Sequence, residues 1–237
     1  MNTPFTALLV ALLVTLPDLA NAEDWYLAGR LSTGLALLED ITHKGTIGTG
    51  APVGNDFDGS LADEDIDDLT GGIGIALGRR TGNWNIEAEF IWRYRTDWDI
   101  AATTYSLQAI TNVFTNVATS TLLLNATRRI PINVHWSWEV GAGIGLVAND
   151  QEGKYIERGV PGITPQVEFE DEANSTDFSW NAILGVSRKL GESWALSLRY
   201  RYIDLGDLHI GPFPSRTGEV FADHTSHELM LSFERRL

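Results

Sequence analysis

From Ile132 to Leu146 the chain alternates without exception. Ile132, Val134, Trp136, Trp138, Val140, Ala142, Ile144 and Leu146 share one parity. Asn133, His135, Ser137, Glu139, Gly141, Gly143 and Gly145 share the other. Successive strand side chains point to opposite faces, so period two predicts a strand with one apolar face. Trp84–Arg95 repeats the pattern: Trp84, Ile86, Ala88, Phe90, Trp92 and Tyr94 stand against Asn85, Glu87, Glu89, Ile91, Arg93 and Arg95. In Trp194–Ile203 the apolar parity is Trp194, Leu196, Leu198, Tyr200 and Tyr202, opposite Ser197, Arg199 and Arg201. Asp24–Leu37, Leu69–Arg80, Val117–Arg129, Phe178–Lys189 and Glu219–Leu237 alternate less cleanly, and a helical period fits none of them.

Eight predicted strands therefore follow one another with alternating connections. Thr81-Gly82-Asn83, Ile130-Pro131 and Leu190-Gly191-Glu192-Ser193 are short. The other four connections run about 15 to 30 residues, far beyond an ordinary hairpin loop. A Trp opens every second segment: Trp25, Trp84, Trp136 and Trp194. The fold class this predicts is all-β, an eight-stranded antiparallel up-and-down barrel.

Volume decides which face points inward. The apolar face carries about 36 large side chains, whereas an eight-stranded barrel interior is just wide enough to be filled by side chains. That load belongs outside, against lipid, as in a transmembrane β-barrel. The opposite face, rich in Gly, Ser, Ala and Asn, suits a crowded lumen. Parity also sends charges inward: Arg30, Arg93, Arg95, Arg199 and Arg201, with Glu87, Glu89, Glu139, Glu228 and Glu234. These cations and anions match in number, which predicts a paired network, since a lone buried charge is costly.

Arg79-Arg80, Arg128-Arg129, Arg188-Lys189 and Arg235-Arg236 lie on the short-turn side. The long loops hold most of the acids and, among cations, only Lys44, Lys154, Arg158 and Arg216. In bacterial barrels the short turns are periplasmic and the long loops extracellular. Trp25, Trp84, Trp136 and Trp194 then form a periplasmic aromatic girdle. Trp92, Tyr94, Phe178, Trp180, Tyr200 and Tyr202 form the outer one.

Composition narrows the function. The 237 residues hold 32 acids against 17 Lys and Arg, a formal charge of −15. Such a chain lacks the clustered cations that nucleic-acid phosphate requires, so no nucleic-acid partner is expected. Cysteine is absent, which removes disulfides, thiolate metal sites and a Cys nucleophile. Ala7–Leu16 is apolar except for Thr15, and Ala20-Asn21-Ala22 follows, the pattern of a signal peptide over residues 1–22 with the barrel domain at 23–237.

Leu198-Arg199-Tyr200-Arg201-Tyr202-Ile203-Asp204-Leu205-Gly206 and the closing Ser226–Leu237 segment carry a resemblance to a known family. With the eight-strand pattern, they resemble the OmpA-like, opacity-type family of eight-stranded outer-membrane β-barrels. The resemblance covers the whole mature chain. It implies an integral protein of the Gram-negative outer membrane, with envelope structure and surface interaction rather than catalysis as its role. Its implied partners are outer-membrane lipids, lipopolysaccharide, the barrel-assembly machinery and an external ligand of the loops. Family members usually end in an aromatic residue, whereas Leu237 stands last here, with Phe233 four residues earlier.

Two motifs invite chemistry. His224-Thr225-Ser226 places His and Ser on one strand face with Glu228 next, the ingredients of an activated hydroxyl. Parity turns Ser226 into the lumen, however, whereas the outer-membrane lipid A deacylases that this arrangement resembles need it toward lipid. Asp56-Phe57-Asp58-Gly59 through Asp65 lacks the first and last ligands of a calcium loop and reads as a solvated acidic loop. Neither a cofactor, a metal site nor an enzyme activity is expected. The rivals to a structural or surface-interaction role are a narrow porin-like channel, including a side-opening passage for apolar molecules, and a lipid A-modifying enzyme.

Overall fold

The computed structural model describes residues 24–44, 46–47, 51–52, 66–104, 109–158, 167–210 and 219–237. Its strands are β1 (Trp25–Lys44), β2 (Thr46–Ile47), β3 (Ala51–Pro52), β4 (Ile66–Thr81), β5 (Trp84–Arg93) and β6 (Thr96–Thr104). They continue with β7 (Ala109–Pro131), β8 (Trp136–Arg158), β9 (Val167–Lys189), β10 (Trp194–Ile210) and β11 (Glu219–Arg236). The tiny β2 and β3 pair only with each other. The rest form one antiparallel sheet, β5-β4-β1-β11-β10-β9-β8-β7-β6, which closes through β5–β7. The result is the expected eight-stranded barrel, with its third strand broken into β5 and β6.

The short connections are built locally. Gly82 takes a φ of 60°, a left-handed value that the tight β4–β5 turn needs and a Cβ disfavours. Between β7 and β8 the turn is Ile132–His135, where the Asn133 side chain accepts from the His135 and Trp136 amides at 2.9 Å. The expected strand start at Ile132 therefore moves to Trp136, and Val134 is exposed in the turn.

The four long connections are shorter than expected because the strands run on. β7, β8 and β9 each have 23 residues and stay in register up to Ile110↔Arg158 and Glu157↔Val167. Beyond the outer aromatic ring, polar residues occupy both faces of this extension. Asn149 and Gln151 are buried, while Asp150 is exposed and Glu152 and Lys154 half-buried. Period-two hydrophobicity ends there although the ladder continues.

Three irregularities shift parity at this end. Tyr94 and Arg95 separate β5 from β6, so Arg93, Thr96 and Trp98 are buried while Tyr94, Arg95 and Asp97 are exposed. The β1–β11 register slips between Glu39 and Thr42, around Asp40 with its φ of 50°. The β10–β11 register slips between Asp204 and Asp207, around Gly206 with its φ of 77°.

The apolar parity faces out. Leu27, Leu31, Leu35, Ile73, Ile75, Ile86, Leu124, Ile144, Leu184, Leu198, Leu229 and Leu231 are all exposed large side chains. Ringed by Trp and Tyr, they make a surface for lipid rather than for water.

Candidate functional site

The barrel interior is stacked in two tiers. The tier nearer the short turns is charged. Arg199 meets three carboxylates: Glu139 at 2.8 Å, Glu87 at 3.0 Å and Glu234 at 3.4 Å. Arg30 pairs with Glu87 at 2.5 Å and with Glu89. Arg201 reaches Glu89 at 2.6 Å and also pairs with Glu228, which Arg93 holds at 2.5 Å. The Tyr26 hydroxyl donates to Glu87 at 2.7 Å, and Arg93 donates to Thr121 at 3.2 Å. Every side chain in these ion pairs is essentially inaccessible to solvent.

Nine of the ten lumen charges read from parity meet in this network: Arg30, Glu87, Glu89, Arg93, Glu139, Arg199, Arg201, Glu228 and Glu234. Arg95 does not. It lies past the β5–β6 break, 43% exposed, and pairs with Glu152 on the outer surface. Its place is taken by two arginines expected in the basic turns. Arg80 binds Glu234 at 2.7 Å. Arg129 binds Glu234 at 2.8 Å and Glu139 at 3.0 Å. Parity foreshadowed both, since Arg80 follows buried Ala76 and Gly78, and Arg129 follows buried Asn125 and Thr127.

Each barrel strand except β9 thus supplies a charge to one connected network. On β9 the matching residues are small or neutral. Asn181 donates to Asn125 at 2.9 Å, and a Cβ on Gly185 would stand 2.8 Å from Cγ of Arg199. Glycine there makes room for the arginine stem.

The upper tier is apolar, which the Gly- and Ser-rich parity did not predict. Leu123, Val147, Ile203 and Leu205 form one buried cluster. Ala36, Leu38, Ile41, Trp98, Val117, Leu208 and Ala222 form another, with Ile66 packed against it. The parity shifts at Asp40, Arg95 and Gly206 bring Ile41, Trp98 and Leu208 inward. His224 is buried here with its ring edge-on to Trp98 at 5.2 Å. Ser226 is also buried, and its hydroxyl donates to the Leu35 carbonyl at 2.9 Å. His224, Ser226 and Glu228 do share the lumen face, but Glu228 is engaged by Arg93 and Arg201.

The aromatic residues expected in the girdles lie on the outer face of the barrel. Trp84, Trp136, Trp194, Trp92, Tyr94, Phe178, Trp180 and Tyr200 are exposed on the outer face, while Trp25 and Tyr202 are half-buried. Trp194 stacks on Phe233 at 4.8 Å at the short-turn rim. At the other rim Trp180 donates to Asp204 at 3.0 Å, and the Tyr200 hydroxyl lies 2.6 Å from Nδ1 of His227.

Beyond that rim, Glu39, Asp40, Asp204, Asp207 and Asp223 line a cavity of about 420 Å³. Desolvation, reinforced by the charges of Asp207, Asp40, Asp204 and Glu39, raises the Asp223 pKa above the ordinary aspartate value. Among the described residues no group of three or more His, Asp or Glu has the arrangement of a metal site. The expected signal segment over residues 1–22 and the acidic stretch Asp56–Asp65 lie outside the described residues.

A family model described as "Outer membrane protein beta-barrel domain" matches residues 6–233. No curated protein matches. Among solved structures, the chain is similar to Neisserial surface protein A at 11% identity and a TM-score of 0.43, covering 90% of this chain and 97% of that one. It is similar to outer membrane protein OprG from Pseudomonas aeruginosa at 13% identity and a TM-score of 0.48, covering 88% and 94%. AlkL in lipid bilayers matches at 18% identity and a TM-score of 0.43, covering 91% and 92%.

Proposed function

Because the chain belongs to the outer membrane protein β-barrel domain family and resides in the Gram-negative outer membrane, we propose that it is a closed barrel presenting an acidic surface outside the cell. The observation that carries this reading is the network centred on Arg199, which crosses the lumen and ties β1, β4, β5, β7, β8, β10 and β11 together. Ions and solutes crossing this floor would have to break paired charges in a low-dielectric interior. The barrel is a frame, and what it holds out is the β7–β9 extension. On its outer face Glu152, Glu170 and Glu172 cluster with Lys154, Phe114 and Asn116 around a cavity of about 290 Å³. Acid predominates, so the partner is cationic.

The reading is non-enzymatic. His224 is buried within the apolar tier, and Ser226 and Glu228 are committed to structural bonds. Neutral-lipid vesicles carrying the protein should bind oligolysine in a salt-sensitive way. Removing residues 151–173, the far part of the β8–β9 hairpin, should abolish that binding while the barrel still inserts. Unchanged binding by the shortened protein would reject the extension as the interaction surface.

A further inference from the structure

Two of the basic pairs at the short-turn rim divide by parity. Arg80 and Arg129 turn inward and join the lumen network, while Arg79 and Arg128 just before them are exposed on the outer face. Arg188 and Arg235 are exposed there too. Each of these outward arginines faces a girdle tryptophan across the ladder: Trp25↔Arg79, Trp84↔Arg128, Trp136↔Arg188 and Trp194↔Arg235. They are not equivalent. Arg188 lies over the Trp136 ring at 5.4 Å and Arg235 over the Trp194 ring at 5.5 Å, so a π face answers each cation. Among the described residues, Arg79 and Arg128 neither stack on a ring nor join an ion pair. Their ladder partners on the outer face carry no charge: Trp25 and Ile86 beside Arg79, Trp84 and Val140 beside Arg128.

The wall beside these two arginines is hollowed. The ladder row Ile86↔Ala126↔Ala142↔Ala182 crosses β5, β7, β8 and β9, and its three alanines are exposed in succession. Ile86, Leu124, Ala126, Ala142 and Ile144 line a furrow of about 320 Å³ there. Arg79 opens onto the same row, as the β4 partner of Ile86. Arg128 follows Ala126 by two residues on β7, about 7 Å along the strand. The rows of the other two outward arginines are filled. Arg188 continues into Leu196 and Phe233, and Arg235 into Leu27 and Leu77. Free cations and an unfilled apolar groove therefore coincide at one corner of the rim.

We infer that this corner binds one anionic phospholipid of the periplasmic leaflet, with its phosphate held by Arg79 and Arg128 and one acyl chain laid in the alanine furrow. The guanidinium fork matches phosphate oxygens in geometry and charge. Headgroup charge decides the choice of lipid. Two arginines without a neighbouring carboxylate repel the ammonium of a zwitterionic headgroup and offer it no partner. Trp84, on the strand between the two arginines, belongs at the interfacial level where the headgroup meets the chains. The chain in the furrow restores the dispersion contacts that the small alanines leave unmade. The site lies at the opposite end of the barrel from the acidic extension and goes beyond the surface role.

The test is native mass spectrometry of the barrel released from detergent micelles doped equally with phosphatidylglycerol and phosphatidylcholine. The wild type should retain one phosphatidylglycerol several-fold more often than phosphatidylcholine. Arg79→Gln with Arg128→Gln should abolish that preference. Arg188→Gln with Arg235→Gln removes the same charge from the same rim and should leave it intact. Ala142→Leu fills the furrow, keeps every arginine and should lower retention several-fold. Equal retention of the two lipids by the wild type would overturn the site. Equal losses from the two double variants, or full retention by Ala142→Leu, would do so too. A dimer that Ala142→Leu breaks would assign the furrow to a second copy of the chain and also overturn the lipid. Heat-modifiable mobility of each variant establishes that it has folded.

Discussion

At the residue scale, Arg199 and Arg95 make a controlled comparison. Both were expected inside; one touches Glu87, Glu139 and Glu234 in the dry lumen, and the other sits on the surface with Glu152. Removing one partner of a buried charge pair leaves an uncompensated charge and costs about 3–5 kcal/mol. An exposed pair contributes about 0–1 kcal/mol. Arg199→Ala should therefore lower the thermal midpoint clearly and Arg95→Ala hardly at all; calorimetry in detergent checks both. Asp223 supplies the pH dependence. Its pKa is raised in the folded protein, so the native state keeps its proton at pH values where the unfolded chain has lost it. Stability from this group is present at low pH and is lost as pH rises through the raised value. Asp223→Asn should raise the midpoint at neutral pH and leave it unchanged below the ordinary carboxylate range. An effect that grows on acidification would contradict the assignment.

At the element scale, alternation was readable wherever one face met lipid and the other a polar lumen. All eight wall strands and both aromatic girdles rest on that contrast. It disappears in Asp150–Lys154, where both faces are polar, and in the acidic run Glu168–Glu172, so these stretches read as loops although they continue β8 and β9. It also cannot locate a single extra residue. Tyr94 and Arg95 each fit the alternation of Trp84–Arg93, yet the chain shifts parity between them. That shift expels Arg95 and admits Trp98. The converse error concerns Arg80 and Arg129. They were grouped with basic turn residues, while their parity already placed them beside Gly78 and Thr127. The network itself was legible because inward charge is rare and these arginines and glutamates came in matching numbers. Its exact partners were not, since register decides them. The closed ladder has its own test. Without a free edge in the membrane-spanning region, the barrel should resist unfolding in cold detergent. Unboiled and boiled samples should migrate differently in electrophoresis; identical mobility would contradict closure.

At the scale of the whole molecule, the barrel divides its length by chemistry. Paired charge fills the end near the short turns, apolar side chains fill the outer half, and acidic strands project beyond. The lipid-facing side needs only apolar bulk, which explains how so different a lumen can be packed behind a uniform wall. The same division makes the central claim measurable as ion flow. Reconstituted in planar bilayers under an applied voltage, the wild-type protein should show no steady single-channel conductance, because the network around Arg199 closes the floor. Large, steady conductance from correctly inserted wild-type protein would contradict the closed lumen and make the molecule a pore.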